Sequence, residues 1–496
     1  MKKYFWILVG VILLFGFITR IFIIQNNNLY FTADEGRDAV YVREILNSHA
    51  LFTKGPQSSV AGLYTGPLWY YFISIGYVIL KGSPYGSVLM LIILNLGICL
   101  ALIYEIQKEI NKKIALITLF GLMIFWPFFN TSLYGFNPFP LVVLSIILIL
   151  FLVKEKYRLA LIPILLAFNT ELAGAVVFLL FYILVGFYLV LYKKISRRNF
   201  LVFAFIIPAI GLIKIITDYI RAGKNPSTGS GLKVFLGTNF KQIFVEFVKI
   251  IGSVTIPQNY ILGLILTIAI VIVYLKRKHK KEFTKRFVYL TLFLIFVSYL
   301  FFGSNHGWRE WHTVYLPVIT LVATLLMCYE LKNKTGKLFI FGILFLNIVN
   351  FSQNYINYLK PSNDRSLLYN QEKAIDWIYR HNENNGFDLY TYTDSFYDYG
   401  YQYLISWYGL PKYGFYPCEY SNFPLSHKYL YIPVAEKYNS PTLGCDKFRF
   451  LIVDSKTNGN ENKNWINDFR EQTILVDETK VGNIEIEKRK VPDKIR

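Results

Sequence analysis

The sequence predicts an α-helical polytopic membrane protein of about eleven spans, followed by an extracytoplasmic mixed α/β domain. Three observations carry this prediction. The 496 residues are 54% hydrophobic and 18% aromatic, too apolar for an ordinary soluble chain. Apolar runs of about twenty residues, each long enough as helix to cross roughly 30 Å of hydrocarbon, recur up to residue 354. From about residue 355 the composition turns polar and aromatic.

The opening run "MKKYFWILVGVILLFGFITRIFII" is read as the first span rather than a signal peptide, because it is membrane-length and no small-residue cleavage site follows it. The spans are placed near 4–24, 86–105, 114–133, 138–153, 159–170, 172–192, 199–219, 259–275, 287–303, 313–330 and 337–354. With the N-terminus inside, short cytoplasmic loops collect Lys2 and Lys3, a cluster at 108–113, another at 154–158, four basic residues at 193–198, seven in "KRKHKKEFTKR", and three at 332–337. These hold 22 of the 52 basic residues, so the net charge of +20 reads as a topology signal and calls for no nucleic-acid partner.

This orientation requires that "GPLWYYFISIGYVIL", residues 66–80, not be a full span. It has fifteen residues, opens with Gly-Pro and is rich in Tyr and Trp, which suits an interfacial or re-entrant helix. Counted as a span, it would put the later basic clusters outside. The preferred reading gives a transmembrane unit over 1–355, a first external loop at 25–85, and an extracytoplasmic unit over 356–496. The protein is then multi-pass in the plasma membrane, with a cytoplasmic N-terminus.

In the C-terminal unit "AIDWIYRHN" reads as an amphipathic helix, and "FDLYTYTD", "YLYIPV", "FRFLIVD" and "GNIEIEKRK" read as strands. Cys418 and Cys445 fall there and pair if the compartment is oxidising, whereas Cys99 and Cys328 lie in spans. No metal-ligand spacing and no internal repeat is found, and the repeats and broken helices of a transporter are missing with them.

The chemistry concentrates in "YFTADEGRDAVYVREIL", residues 30–46. Thr32 and Glu35 have capping-box spacing, which assigns Glu35 to the start of a helix. Asp34 is then a first-turn carboxylate with no local partner required, and Asp38 lies one turn on, on the same face as Asp34 and Arg37. Taken alone, these charges are better accounted for by intrahelical ion pairs on a solvated helix.

A membrane-length helix, then "DEGRDAVYVREIL", then "GPLWYYFISIGYVIL", then a span ending in a basic loop resembles the start of the GT-C membrane glycosyltransferases. Within them it is similar to the protein O-mannosyltransferase and aminoarabinose transferase-like group (glycosyltransferase family 39-like). "GPQSSVAGLYTGPLWYYF", "NPFPLVVLSI" and "REWHTVYLPVITLV" resemble further segments of that group, over roughly residues 1–355. The resemblance implies a GT-C-like fold and a glycosyltransferase, a hexosyl- or pentosyltransferase. It would take a sugar from a polyprenyl-phosphate donor and pass it, with inversion, to a lipid, glycan or protein acceptor outside the membrane.

It further implies that Asp34 is the general base, with Glu35 beside it, and that cations or a divalent metal ion meet the leaving phosphate. The candidates for substrate and phosphate binding are Arg37, Asp38, Lys54, Glu171, Arg309 and His312, with His306 nearby and Arg43 on the same helix. Thr65 and Gly66 stand where the aminoarabinose transferase carries a lysine before its Pro-aromatic segment. Glu171, between two apolar runs, reads as a site carboxylate or a solvated turn residue. Lys214 and Asp218 read as an ion pair or snorkelling residues. An oligosaccharyltransferase, a glycan polymerase or a lipid-linked glycan transporter is the alternative, although no "WWDYG"-like motif is present.

Overall fold

The computed structural model describes residues 2–26, 28–49, 51–58, 63–192, 239–277, 281–304, 308–331, 334–383, 386–393, 398–421, 448–454 and 463–492. The expected span at 199–219 with Lys214 and Asp218, the strand "YLYIPV", His306 and Cys445 lie outside the described residues.

Helix α1 (Lys2–Gln25) runs to the first loop, where α2 (Ala33–Ser48) and α3 (Leu68–Ile79) form. α3 has 12 residues, about 18 Å of helix, well short of the hydrocarbon thickness. α4 (Tyr85–Glu109) is about 37 Å long and crosses with room to spare. Among the described residues six helices are long and apolar enough to cross a membrane: Tyr4–Gln25, α4, Leu172–Leu191, Glu282–Gly303, Glu310–Glu330 and Lys334–Leu359. A seventh span is possible if Phe240–Thr255 and Tyr260–Leu275, which meet at 73°, count as one.

Three expected spans differ in form. The run at 114–133 is divided into α5 (Lys112–Met123) and a short helix Trp126–Asn130, because Pro127 has no backbone N–H to continue the ladder. The run at 159–170 holds only a seven-residue helix, Leu161–Ala167, about 10 Å long. The run at 259–275 is preceded by a helix the periodicity did not mark, Phe240–Thr255, whose Lys241, Glu246 and Lys249 interrupt its hydropathy while Ile243 and Phe247 bury one face.

One apolar core, including Leu102, Leu119, Leu141, Phe178 and Leu321, fills the bundle. A second core joins Phe31, Ala39, Trp69 and Tyr70 of the first loop to Leu368, Ile378, Phe387 and Phe450 of the C-terminal unit. The C-terminal unit therefore shares its core with the first loop instead of packing as a separate body. Its five-stranded sheet has the order β2-β1-β3-β5-β4, with β1 Phe387–Thr393, β2 Tyr420–Ser421, β3 Phe448–Asp454, β4 Ile474–Val481 and β5 Ile484–Lys490. β1 pairs in parallel with β2 and β3, while β5 runs antiparallel to β3 and β4. Cys418 is disulfide-bonded, and Cys99 and Cys328 are buried free thiols.

Backbone bonds fix the clamp between the two parts. The Phe31 amide donates to Ser366 O (2.7 Å), the Leu368 amide donates to Leu29 O (2.9 Å), and Gln371 Nε2 donates to Phe31 O (3.0 Å). Gly36 is required at this contact, since a Cβ there would overlap the backbone of Tyr399 and Gly400.

Candidate active site

α2 starts with the capping box that its sequence spells. The Thr32 amide donates to Glu35 Oε2 at 2.8 Å, Thr32 Oγ1 also contacts that oxygen, and the Asp34 amide donates to Thr32 Oγ1 at 3.3 Å. Glu35 is 2% exposed, and its Oε1 has no hydrogen-bond partner among the described residues. Burial pushes its carboxyl up to about 8, against the opposing pull of Thr32.

Asp34, Arg37 and Asp38 form one constellation. Arg37 Nη1 reaches Asp34 Oδ1 at 2.6 Å, and Arg37 Nη2 and Nε meet Asp38 Oδ1 at 2.8 and 2.9 Å. Trp69 Nε1 on α3 donates to the other oxygen, Asp38 Oδ2, at 2.6 Å. The side chain of Asp38 is 2% exposed and that of Asp34 is 49% exposed. The two carboxylates therefore differ in kind: Asp38 is a buried anchor with three donors, and Asp34 is half-exposed. Burial pushes Asp38 up to about 6 while Arg37 and Trp69 pull the other way. The sequence required no local partner for Asp34 and left an intrahelical ion pair open. One of its oxygens is fixed by Arg37, because the i, i+3 spacing brings a guanidinium that also serves Asp38 within reach.

Trp69 was not singled out from the sequence. Its aromatic neighbours made it read as an interfacial anchor, and only the packing of α3 on α2 aims its indole N–H at Asp38. The loop between these helices is tied to both: the Phe52 amide donates to Tyr71 Oη of α3 (2.8 Å), and the Phe52 ring packs edge-on against Tyr41 of α2 at 5.5 Å. Lys54, on the same loop, lies over the Tyr64 ring at 4.7 Å and touches neither Asp34 nor Asp38.

Glu171 caps the helix Leu172–Leu191, its Oε1 and Oε2 accepting from the amides of Ala173 (2.9 Å) and Gly174 (2.5 Å). The solvated-turn reading fails, since Glu171 is 8% exposed. His312, far away in sequence, places Nε2 3.6 Å from Glu171 Oε1. The Arg309 amide donates to His312 Nδ1 at 3.2 Å, while the Arg309 side chain itself points to the exposed surface.

The segment 134–137 connects the two carboxylate centres. Gly135 lies beside Glu35 and Ser87, Phe136 packs on Trp311 at 5.8 Å, and Asn137 Nδ2 donates to Thr170 O at 2.5 Å. The Gly66 amide donates to Phe168 O (2.9 Å), which fastens the start of α3 to the same turn. The structure thus brings Asp34, Glu35, Arg37 and Asp38 together, joins Glu171 to His312 close by, and leaves Lys54 and Arg309 on the periphery. Among the described residues no three His, Cys, Asp or Glu side chains converge as a metal-binding group, and no step is derived through a metal ion.

No protein-family model matches the chain, and no curated protein matches it. Solved structures do. ArnT from Cupriavidus metallidurans bound to undecaprenyl phosphate matches with a TM-score of 0.56 and 9% identity over 98% of both chains. The apo state of the same ArnT matches with a TM-score of 0.56 and 10% identity over 98% of both chains. The chain shares its fold with ArnT, from α1 through the C-terminal sheet. At this identity the likeness establishes the fold, and function is argued from the site.

Proposed function

We propose that this chain is an integral membrane glycosyltransferase that moves a sugar from a polyprenyl-phosphate donor to a lipid, glycan or protein acceptor outside the membrane, with inversion at the anomeric carbon. The observation that carries this reading is the Asp34–Arg37–Asp38–Trp69 constellation at the start of α2. A half-exposed carboxylate with one oxygen fixed by a guanidinium has the form of a general base whose partner is a ligand.

In the proposed reaction the acceptor hydroxyl oxygen forms a bond to the anomeric carbon on the face opposite the phosphate. Its proton passes to Asp34 Oδ2, and the bond from that carbon to the phosphate oxygen breaks, with the electron pair leaving on the lipid phosphate. Arg37 keeps the base in one orientation and gives the site a cation at no added net charge, since Asp38 is fixed behind it. Glu35 holds the helix start through Oε2, and at 2% exposure it is closed off from an acceptor that can reach Asp34. Glu171 and His312 line the neighbouring wall, suited to orienting the acceptor. Lys54 and Arg309 remain the peripheral candidates for the phosphate.

Support from outside the site is of two kinds. The compared ArnT was solved with undecaprenyl phosphate bound, a lipid of the proposed donor type. The disulfide at Cys418 suits an oxidising, extracytoplasmic location for the C-terminal unit, as does the placement of basic loops at the opposite ends of the spans. The test is transfer from a panel of polyprenyl-phosphate sugars by membranes containing wild type or Asp34→Asn. Loss of transfer by about 100-fold or more is expected on removing the base. Undiminished transfer by Asp34→Asn would refute the assignment.

A further inference from the structure

A cavity of about 890 Å³ opens at the end of the bundle opposite α2. Its position follows from connectivity: α1 ends at the first loop, and near its start Phe5 lies under Lys112 Nζ at 5.8 Å, one residue from the cavity's Asn111 and Lys113. Lys113, Lys281 and Lys337 stand around it. None of the three has a carboxylate within ion-pair distance among the described residues. Two other cations at this end are matched: Lys154 pairs with Glu105 and Glu109, and Arg286 with Glu155 and Glu282.

The one acid in the wall, Glu330, is 3% exposed, and both of its oxygens accept from the Lys281 backbone amide, at 3.0 and 3.1 Å. It therefore anchors the segment that carries Lys281 and offsets only one of three positive charges. Three helices also begin here, α5, Glu282–Gly303 and Lys334–Leu359, and each turns the positive end of its dipole toward the opening. Deeper in, Ile117, Ile340, Phe341 and Leu344 form an apolar wall, with Phe341 67% exposed along the bundle's outer side.

We infer that this cavity binds the phosphate of an anionic phospholipid, with an acyl chain along Ile340, Phe341 and Leu344. The positive rim selects an anion, and the apolar wall selects one carrying a hydrocarbon chain over a soluble one. Basic clusters of this kind between helices at the cytoplasmic face meet the anionic leaflet directly. The same lysines merely solvated would satisfy the topology, but they would need no cavity and no convergence of three helix starts.

The test uses the full chain purified in detergent, titrated with dioctanoyl phosphatidylglycerol, dioctanoyl phosphatidylcholine or inorganic phosphate, with lipid adducts counted by native mass spectrometry. Phosphatidylglycerol is expected to be retained over phosphatidylcholine. The variant K113Q/K281Q/K337Q is expected to lose on the order of 100-fold in retention, and K337Q alone roughly fivefold. The triple variant with arginine at these positions should bind as wild type does, which separates loss of charge from loss of fold. Equal retention of the two lipids, full retention by K113Q/K281Q/K337Q, or displacement of phosphatidylglycerol by an equal concentration of inorganic phosphate would overturn the inference.

Discussion

Arg37 holds Asp34 and Asp38 with the two ends of one guanidinium, Nη1 on Asp34 Oδ1 at 2.6 Å and Nη2 on Asp38 Oδ1 at 2.8 Å. Lysine would offer a single ammonium in place of this fork. Arg37→Lys is therefore expected to keep the buried partner, Asp38, and release the exposed one, Asp34. Sugar transfer should fall at least about tenfold, with a smaller change in thermal midpoint than a truncation to alanine, which leaves Asp38 buried without its cation at a cost of about 3–5 kcal/mol. Equal transfer by Arg37→Lys and wild type would separate Asp34 from the chemistry.

Trp69 gives the indole donor to the same buried carboxylate. Trp69→Phe keeps most of the ring and deletes the N–H, so Asp38 Oδ2 loses its bond in a site with 1% exposure of the residue. The expected loss is about 1–3 kcal/mol of stability. Thermal unfolding of the purified protein reads it, and Asp38→Asn in the Trp69→Phe background should add less than the two changes made singly, because both act on one network.

Glu35 gives a pH dependence with a defined sign. Burial raises its carboxyl from an ordinary value of 4.5 to about 8, so the folded chain binds this proton more tightly than the unfolded one. The stabilisation is complete below about 4.5 and is lost as pH rises through about 8, at roughly 1.4 kcal/mol per unit. Wild type should thus lose thermal stability between pH 5.5 and 8.5. Glu35→Gln keeps an acceptor for the Thr32 amide and cannot ionise, so its midpoint should fall less over that interval. Parallel pH profiles for the two proteins would show that Glu35 is not the titrating group.

Gly36 tests the clamp between the first loop and the C-terminal unit. Alanine gains about 1 kcal/mol in helix propensity, but its methyl would meet the backbone of Gly400, which has no rotamer to yield. Overpacking of that kind costs about 1–3 kcal/mol, so destabilisation wins. Gly10→Ala in α1, where nothing lies within 4 Å of the new methyl, is the control and should be neutral or slightly stabilising. Limited proteolysis of the C-terminal unit should accelerate in Gly36→Ala alone.

The bundle and the start of α2 were legible because both signals are local. Twenty-residue apolar runs mark helices whatever surrounds them, and Thr32 and Glu35 find one another within a single turn. What was not legible depends on elements distant in sequence. Nothing in "GPLWYYF" says that Trp69 meets Asp38, and nothing near Glu171 announces His312. β4 escaped for a different reason: "ILVDETKV" is mostly exposed, so it has none of the inward alternation by which a strand is read. The C-terminal unit looked separable because composition shifts at 355, yet its core is completed by Phe31, Ala39 and Tyr70.

Glu171 has two roles to separate, since it both caps a helix and faces His312. As a cap it satisfies the amides of Ala173 and Gly174, and Glu171→Ala should cost about 1 kcal/mol or somewhat more in this buried setting. Glutamine retains one carbonyl oxygen for the cap and loses the carboxyl group facing His312 Nε2 at 3.6 Å. A capping residue alone therefore predicts that Glu171→Gln unfolds slightly earlier and transfers sugar at the wild-type rate. A residue that orients the acceptor predicts a fall in transfer several-fold beyond what the change in folded fraction accounts for, carried mainly by KM for the acceptor. His312→Gln should reproduce that KM change, because it removes the imidazole facing the same carboxylate. A KM change in Glu171→Gln that His312→Gln lacks would assign the effect to Glu171 itself and detach the histidine from the site.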